Sequence, residues 1–368
     1  MLPQDIPDVV SSYLASVDPQ KYTDVARNRQ FSTFAEDFVD NPVVKKDTKK
    51  AVEYRMEYMN RGYNNTRSKS IDSPDAPNRG NVSSYGVINM AFQDTHYIVN
   101  KLEPAFTGGS KQEVVNYLDM HLVNMYDRFF EFNDDRLFTL PTYPNTTDPL
   151  FWTIPYWVSA EPGSTNTFGF RGSNPGSYTA VGGIDRSTAV NAGQRNGVGR
   201  YAEITQPDFC KLAAEAVQKC RFKPYYGVAK ARATELGSDQ RFRFYSDFDT
   251  WQSYQDIAYV SNDNIGEDQG KYRGGKQANS NVFMSNSWVW VPDKLDNGSE
   301  TAVIGDGYFY GLDLSTWELH HYGEWFMKFE KDAIRLEDSH NMLISWMEAP
   351  FQLACRSGRS NFVLTPQA

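Results

Sequence analysis

Residues 197–224, GVGRYAEITQPDFCKLAAEAVQKCRFKP, form the stretch from which the fold of this chain is most readily inferred. Within it, residues 205–221 carry an apolar face at helical spacing. The members of that face are Phe209, Leu212, Ala216 and Cys220. Thr205 is placed to cap the helix, and Pro207 suits its first turn. The stretch therefore predicts an amphipathic helix that packs one side against the rest of the molecule.

A longer helix is predicted upstream, at residues 110–132. Ser110 can cap its start, and Glu113 stands at the capping-box position. Apolar residues then recur at helical spacing. They are Val114, Leu118, Leu122, Met125 and Phe129. At 1.5 Å per residue this helix would be roughly 30 Å long, which is enough for a spine of the fold.

The remaining elements place the helices early in the chain and most strands late. A third helix is predicted at 248–262, and the apolar run FWTIPYWV at 151–158 is interpreted as a strand-like anchor. Further strand-like runs lie at 281–291, 307–312, 317–329 and 340–355. This order predicts an α+β protein rather than a repeating βαβ one.

Residues 51–100 predict a long excursion from the body. Two strand-like segments, 52–59 and 84–100, flank the polar tract RGYNNTRSKSIDSPDAPNRGN at 61–81. The tract is dense in turn-forming residues and cannot bury apolar surface. An isolated hairpin is only marginally stable in water. The excursion is therefore either supported by another surface, such as a neighbouring subunit, or a flexible surface loop.

Composition narrows the classes of function. The net charge is −9, which argues against a regulator that binds DNA through a basic patch. Aromatic residues make up 14% of the chain, which fits either extensive subunit contacts or a β-rich core. Cysteine occurs three times, without CxxC spacing, so we expect neither a disulfide framework nor a zinc site. The same pattern suggests that the chain is made in a reducing compartment. No signal peptide and no membrane helix are expected.

No catalytic motif stands out, so no catalytic, cofactor-binding or metal-binding residue is predicted. His320 and His321 are adjacent and would point to opposite faces of a strand. Glu318 and Glu324 raise the alternative of a carbohydrate-active or carbohydrate-binding protein. On a regular strand they would lie ~20 Å apart. A glycosidase pair needs ~5–10 Å, which disfavours this alternative.

From residue 151 onward the chain resembles the major capsid proteins of tailed double-stranded DNA phages. Beside GVGRYAEITQPDFCKLAAEAVQKCRFKP, four segments are similar to the family in order and spacing. They are RFYSDFDTWQSYQDIAYVSNDNIG (243–266), NVFMSNSWVWVPDKLD (281–296), IGDGYFYGLDLSTWELHHYGEWF (304–326) and FQLACRSGRSNFVL (351–364). The family's closing strand usually reads C-x-x-R-R-N-F-V-L. Here a serine and a glycine interrupt the arginine cluster, so only Arg356 and Arg359 carry over.

The resemblance implies an L-shaped subunit with the tailed-phage capsid fold. Its expected parts are an N-terminal arm (1–50), an extended loop (51–100), a peripheral domain (101–199 and 311–368) around the spine helix at 110–132, and an axial domain (200–310).

The same resemblance implies a structural protein that self-assembles through hexamers and pentamers into an icosahedral head around double-stranded DNA. It also implies a portal protein, possible scaffold and cement proteins, and weak contacts with packaged DNA as partners, with no membrane. The virion would be its location, after assembly in the host cytoplasm.

Five basic residues are candidates for inter-subunit contact: Arg67, Lys69, Arg79, Arg356 and Arg359. Some shell proteins of this fold cross-link a lysine to a neighbour's asparagine, a role open to Lys69. The other readings that the sequence leaves open are a cellular nanocompartment shell of the same fold and a tail or decoration protein.

Overall fold

The computed structural model describes residues 32–39, 44–47, 51–57, 83–100, 111–145, 150–160, 167–188, 191–221, 242–262, 282–283, 287–290, 307–329, 334–335 and 342–367. The polar tract at 61–81, with Arg67, Lys69 and Arg79, lies outside these ranges, as does Ser110.

The described residues form four α-helices and fifteen strands. The helices are α1 (Lys111–Leu137), α2 (Ile154–Trp157), α3 (Lys211–Arg221) and α4 (Phe248–Asn262). The strands are β1 (Val44–Asp47), β2 (Ala51–Glu57), β3 (Ser83–Asn89), β4 (Ala91–Asn100), β5 (Gly169–Gly172), β6 (Asn196–Tyr201), β7 (Phe242–Ser246), β8 (Val282–Phe283), β9 (Ser287–Trp290), β10 (Phe309–Asp313), β11 (Trp317–Tyr322), β12 (Lys328–Phe329), β13 (Ile334–Arg335), β14 (Met342–Cys355) and β15 (Phe362–Pro366).

A six-stranded sheet is organised around the 14-residue strand β14. Strand β4 runs antiparallel along one edge of β14, with Met342 opposite Asn100 and Phe351 opposite Ala91. Strands β13, β12 and β11 pair in succession along the other edge, and β1 adds to β11 in parallel. The long strand therefore serves as the common partner of four others.

A seven-stranded sheet has the order β5-β6-β15-β10-β7-β9-β8. The C-terminal strand β15 lies between β6, which is parallel to it, and β10, which is antiparallel. The ring of Phe362 lies across Gly311 on β10, where an added Cβ would stand 2.2 Å from Phe362 Cε1. Only glycine leaves room for that ring, so the two strands can pack closely there.

Helix α1 packs one face on the six-stranded sheet and is the predicted spine. Leu118, Leu122, Met125 and Phe129 are all buried, which confirms the helical periodicity expected of them. The helix extends past the expected end at residue 132 to Leu137. Leu137 is fully buried, and Asn133 Nδ2 donates to Phe129 O at 2.8 Å, so the last turn is held by packing that the sequence pattern did not show.

The helices at 205–221 and 248–262 are confirmed, with one correction at the start of the first. A π-helical turn, Gln206–Cys210, precedes α3, and Thr205 makes no side-chain capping bond. Asp208 Oδ2 instead accepts from the N–H groups of Ala202 and Glu203, at 2.6 and 3.1 Å. A carboxylate in the first turn thus orders the preceding chain in place of the expected threonine cap.

Two strand predictions are corrected. The apolar run at 151–158 contains the short helix α2, with Ile154, Pro155, Tyr156 and Trp157 all buried. A short run that is apolar throughout has no period to separate strand from helix, and Pro155 in the first turn favours the helix. The segment 84–100 is two strands, β3 and β4, that break at Met90 and pair with different partners. None of the described helices has the length and apolar character required to cross a membrane.

Candidate assembly surfaces

The arginine at 356 neutralises a buried carboxylate. Arg356 Nε lies 2.5 Å from Glu318 Oε1, and His320 Nε2 lies 3.2 Å from the second oxygen of the same carboxylate. The Glu318 side chain is 0% exposed, whereas that of Arg356 is 28% exposed. A buried carboxylate without a partner is strongly destabilising. Arg356 therefore has an internal partner and still reaches the surface.

The arginine at 359 stacks on an aromatic ring. Its guanidinium carbon lies 4.1 Å from the ring centroid of Phe170, a cation–π distance. The 3₁₀ turn Gly358–Ser360 carries it, and a Cβ on Gly358 would stand 2.3 Å from Gln194 O. The structure therefore places Arg356 directly after β14 and Arg359 in the following turn, each with its own contact within the chain. Their predicted role between subunits stays a prediction.

Asn361 joins the two sheets, a role that the sequence reading missed. Its Oδ1 accepts from Asp313 N–H at 2.8 Å and from Trp317 Nε1–H at 3.1 Å. Asp313 ends β10 of the seven-stranded sheet, and Trp317 begins β11 of the six-stranded sheet. Asn361 Nδ2 donates to Ser357 O at 2.8 Å and to Thr316 Oγ1 at 3.2 Å. One buried amide thus sets the C-terminal turn against both sheets.

Strands β4 and β14 present apolar side chains on the face turned away from the core. Phe92 is 58% exposed, Ile98 44% and Met342 36%. His96 stands opposite Trp346 in the register, with ring centroids 4.6 Å apart. This set is hereafter the exposed sheet face, and its members are Phe92, Asp94, His96, Ile98, Met342, Trp346 and Glu348. Exposed apolar side chains gathered on one face of a sheet are typical of an interaction site.

The charges of the exposed sheet face are also unbalanced. Asp94 and Glu348 are exposed and stand directly opposite each other. Like charges in opposite positions are unfavourable within a sheet. Lys328 pairs with Glu348 in the backbone register on the other side. The sequence of β4 could have indicated this face, because apolar residues occur on both sides of the strand rather than on the core side alone.

The base of the excursion is a two-stranded ribbon. Strands β2 and β3 pair antiparallel from Ala51 opposite Asn89 to Glu57 opposite Ser83. Ile88 is buried, whereas Tyr85 is 65% exposed and Val87 51%. A Cβ on Gly183 would stand 3.5 Å from the backbone of Val87, so the loop at that glycine lies close under the ribbon. The strands at the two ends of the predicted excursion are thereby confirmed.

The chemistry considered for Glu318 and Glu324 does not fit the structure. Glu318 is buried in its contacts with Arg356 and His320, whereas Glu324 is exposed in the turn after β11. Across the described residues, no group of three or more His, Cys, Asp or Glu side chains is placed to hold a metal ion.

All three cysteines are free, and burial raises the pKa of the Cys355 thiol to about 11 and that of Cys220 further.

Residues 32–39, hereafter the arm root, are packed into the main core. Phe34 is 0% exposed and lies 5.7 and 5.4 Å from the ring centroids of Phe151 and Phe351. Phe38 meets the Trp317 ring edge-on at 5.7 Å. The part of the expected N-terminal arm that the structure describes is thus held by the body of the chain.

Comparison with solved structures identifies the fold. A chain of the cyanophage A-1(L) capsid asymmetric unit matches with a TM-score of 0.54 and 12% identity, over 91% of this chain and 95% of that one. A chain from Mycobacterium phage Bobi matches at a TM-score of 0.48 and 11% identity, over 92% and 91%. A chain from the capsid of an empty GTA particle matches at 0.48 and 8%, over 91% and 96%.

No protein-family profile and no curated protein matches the sequence. The cyanophage likeness covers 91% of this chain, and the α+β architecture agrees with it. The chain therefore has the fold of tailed-phage major capsid proteins.

Proposed function

We propose that this chain is the major capsid protein of a tailed double-stranded DNA virus and self-assembles through hexamers and pentamers into its icosahedral head. The observation that carries the proposal is the likeness to the cyanophage capsid chain, which covers nearly the whole of both chains. The proposed role is structural rather than catalytic.

The exposed features of the described residues fit a subunit that is completed by its neighbours. The exposed sheet face and the ribbon residues Tyr85 and Val87 leave apolar surface in water. Burying apolar surface stabilises a contact by roughly 25 cal/mol per Å². Many modest contacts of this kind add up in a closed shell. We infer that the extended loop at 51–100 lies over a neighbouring subunit.

The five basic candidates fit two kinds of contact. Arg67, Lys69 and Arg79 belong to the excursion and would meet a neighbour's carboxylates. Arg356 and Arg359 hold internal partners, but both side chains remain partly exposed. An arginine can add a second partner through its remaining N–H groups. We keep both as inter-subunit contacts on that ground.

The net charge of −9 favours weak, non-specific contact with packaged DNA, because phosphate binding depends on clustered Lys and Arg. A portal protein and, in some shells of this fold, scaffold and cement proteins would complete the particle. The virion is the proposed location, reached after assembly in the host cytoplasm. The division into arm, extended loop, peripheral domain and axial domain also remains part of the proposal.

Negative-stain electron microscopy of the purified chain tests the proposal, with expression alone and together with the neighbouring genes of its genome. We expect icosahedral shells or capsomer rings. A uniform monomer of about 42 kDa under every condition would contradict it. Sedimentation velocity on the same samples separates ordered particles from amorphous aggregate.

A further inference from the structure

Two carboxylates, the buried one of Asp37 and the half-buried one of Asp134, hold the arm root in place. Asp37 lies on the arm root and accepts from Tyr245 Oη–H at 2.5 Å and from Arg243 Nε–H at 3.1 Å, both on β7. Asp134 lies near the end of α1 and accepts from Phe34 N–H at 2.7 Å. The two carboxylates therefore connect the arm root to the spine helix and to the seven-stranded sheet.

Burial of these groups depends on where the arm root lies. Asp37 is 3% exposed in its docked position, and a carboxylate on an undocked segment would be in water. Asp134 is covered by the arm root through its bonds to Phe34 and Ser32. Moving an ionised carboxylate out of water is costly unless its charge is compensated. Docking thus imposes that cost on two acids at once.

The charged groups around the site only partly offset this cost. Arg243 pairs with Asp37, while Glu36 on the arm root and Asp135 on α1 add negative charge. Tyr245 on β7 is fully buried and donates to Asp37, and burial raises its pKa well above the usual value. Asp37 and Asp134 also repel each other.

We propose that docking of the arm root is linked to proton uptake, so that acidification tightens its hold on the body and alkalinisation loosens it. This inference concerns the chain itself and does not rest on the proposed capsid function. In a shell, the same linkage would make the arm sensitive to the pH at which the shell assembles or changes form.

The pKa shifts of both carboxyl groups have the direction that proton uptake on docking requires. Burial raises the pKa of Asp134 to about 6, against the lowering effect of the bonds from Ser32 and Phe34. Burial likewise raises the pKa of Asp37, which Arg243 and Tyr245 offset in part. A carboxyl whose pKa is higher in the docked state contributes stability that is complete below its undocked pKa. That stability is lost as pH rises through the docked value.

The size of the effect follows from the same linkage. If the pKa of Asp134 returns to its ordinary value of 3.8 on undocking, the equilibrium constant for docking of the arm root should be up to about tenfold larger at pH 5.0 than at pH 7.5. Asp37 increases the pH dependence of the docking constant in the same direction, because its pKa is also raised in the docked state.

Hydrogen exchange of the intact chain tests the proposal, read by mass spectrometry at pH 5.0 and 7.5 and corrected for the intrinsic pH dependence of exchange. Protection of peptides covering residues 32–39 should rise at pH 5.0 by up to about tenfold. Peptides from α3 report global stability and serve to normalise the result. Equal normalised protection at the two pH values would overturn the proposal.

Three variants sharpen the test. Asp134→Asn keeps an oxygen for Phe34 N–H but cannot titrate, so the pH ratio should shrink towards the contribution of Asp37. Asp119→Asn, on the same helix, is the matched control and should leave the ratio unchanged. Ser32→Ala retains the carboxyl and removes a bond to its ionised form, so the midpoint should move to higher pH. An unchanged ratio in Asp134→Asn, or an unchanged midpoint in Ser32→Ala, would equally refute the linkage.

Discussion

Arg356 Nε and Glu318 Oε1 lie 2.5 Å apart, and this contact joins the end of β14 to the start of β11. The two strands are already paired, with Trp317 opposite Cys355 and Glu318 opposite Ala354. Arg356 N–H donates to Thr316 O at 2.8 Å and continues the ladder one residue past its end, beside the ion pair. It also compensates the charge of a carboxylate with no exposed surface.

Replacing the arginine alone should therefore be costly. Arg356→Ala removes the arginine charge from beside the buried Glu318 carboxylate, and we expect the free energy of unfolding to fall by about 3 kcal/mol. Denaturant unfolding followed by Trp fluorescence measures the change. The double variant Glu318→Leu with Arg356→Leu removes both charges and should recover most of the loss. Equal losses in the single and double variants would show that packing, not the buried charge, decides the effect.

The side-chain amide of Asn361 should contribute more to the free energy of unfolding than the side chains of neighbouring residues in the same turn. Asn361→Ala leaves Asp313 N–H, Trp317 Nε1–H and Thr316 Oγ1 without this partner in a buried setting. We expect a loss of about 3 kcal/mol in the free energy of unfolding, since each buried polar group left unsatisfied costs about 1 kcal/mol or more. Ser357→Ala, in the same turn, is the control and should cost less than about 1 kcal/mol. Calorimetry measures the change in Tm of both variants. Similar changes for Asn361→Ala and Ser357→Ala would show that the Asn361 side-chain bonds contribute little to stability.

The exposed sheet face should be required for assembly and not for folding. Phe92→Glu and Ile98→Glu add charge to a face that already carries Asp94 and Glu348, so a contact there should weaken more than tenfold, the equivalent of about 1.4 kcal/mol. Gln252→Glu adds the same charge at an exposed position on α4 and should assemble normally. The fraction of protein in particles is measured by sedimentation velocity, with circular dichroism as the check on folding. A normal yield of particles from Phe92→Glu would show that the exposed sheet face is not part of a subunit contact.

The cysteines should differ in reactivity according to burial. Iodoacetamide at pH 8 should modify Cys210, which is partly exposed, before the buried Cys220 and Cys355. Burial raises the thiol pKa of all three cysteines, so the difference in access decides the order. Peptide mass spectrometry at timed intervals gives the order, and unfolding in guanidinium should make the three rates similar. Early labelling of Cys355 in the folded chain would contradict the packing around the C-terminal turn.

Sequence reasoning recovered the elements with a strong internal period. Helix α1 carries apolar residues every three or four positions and was expected with its start correct to one residue. Its end was not, because the extra turn depends on Leu137 reaching a core built by other segments. The apolar run at 151–158 has no period that distinguishes a strand from a helix, so the sequence favours a strand where the structure has the short helix α2.

By itself, the sequence determined the α+β class and the helices α1, α3 and α4, because a helical period depends on neighbours a few residues away. It also predicted the strands of the ribbon, whose pairing joins residues further apart in the chain. Only the tertiary structure decided which polar groups meet. Asp37 finds Arg243 across 206 residues, and Asn361 finds Trp317 across 44. Such partners depend on how the two sheets and the spine helix stack, and the free energy of that stacking is distributed over the whole core rather than over any local pattern.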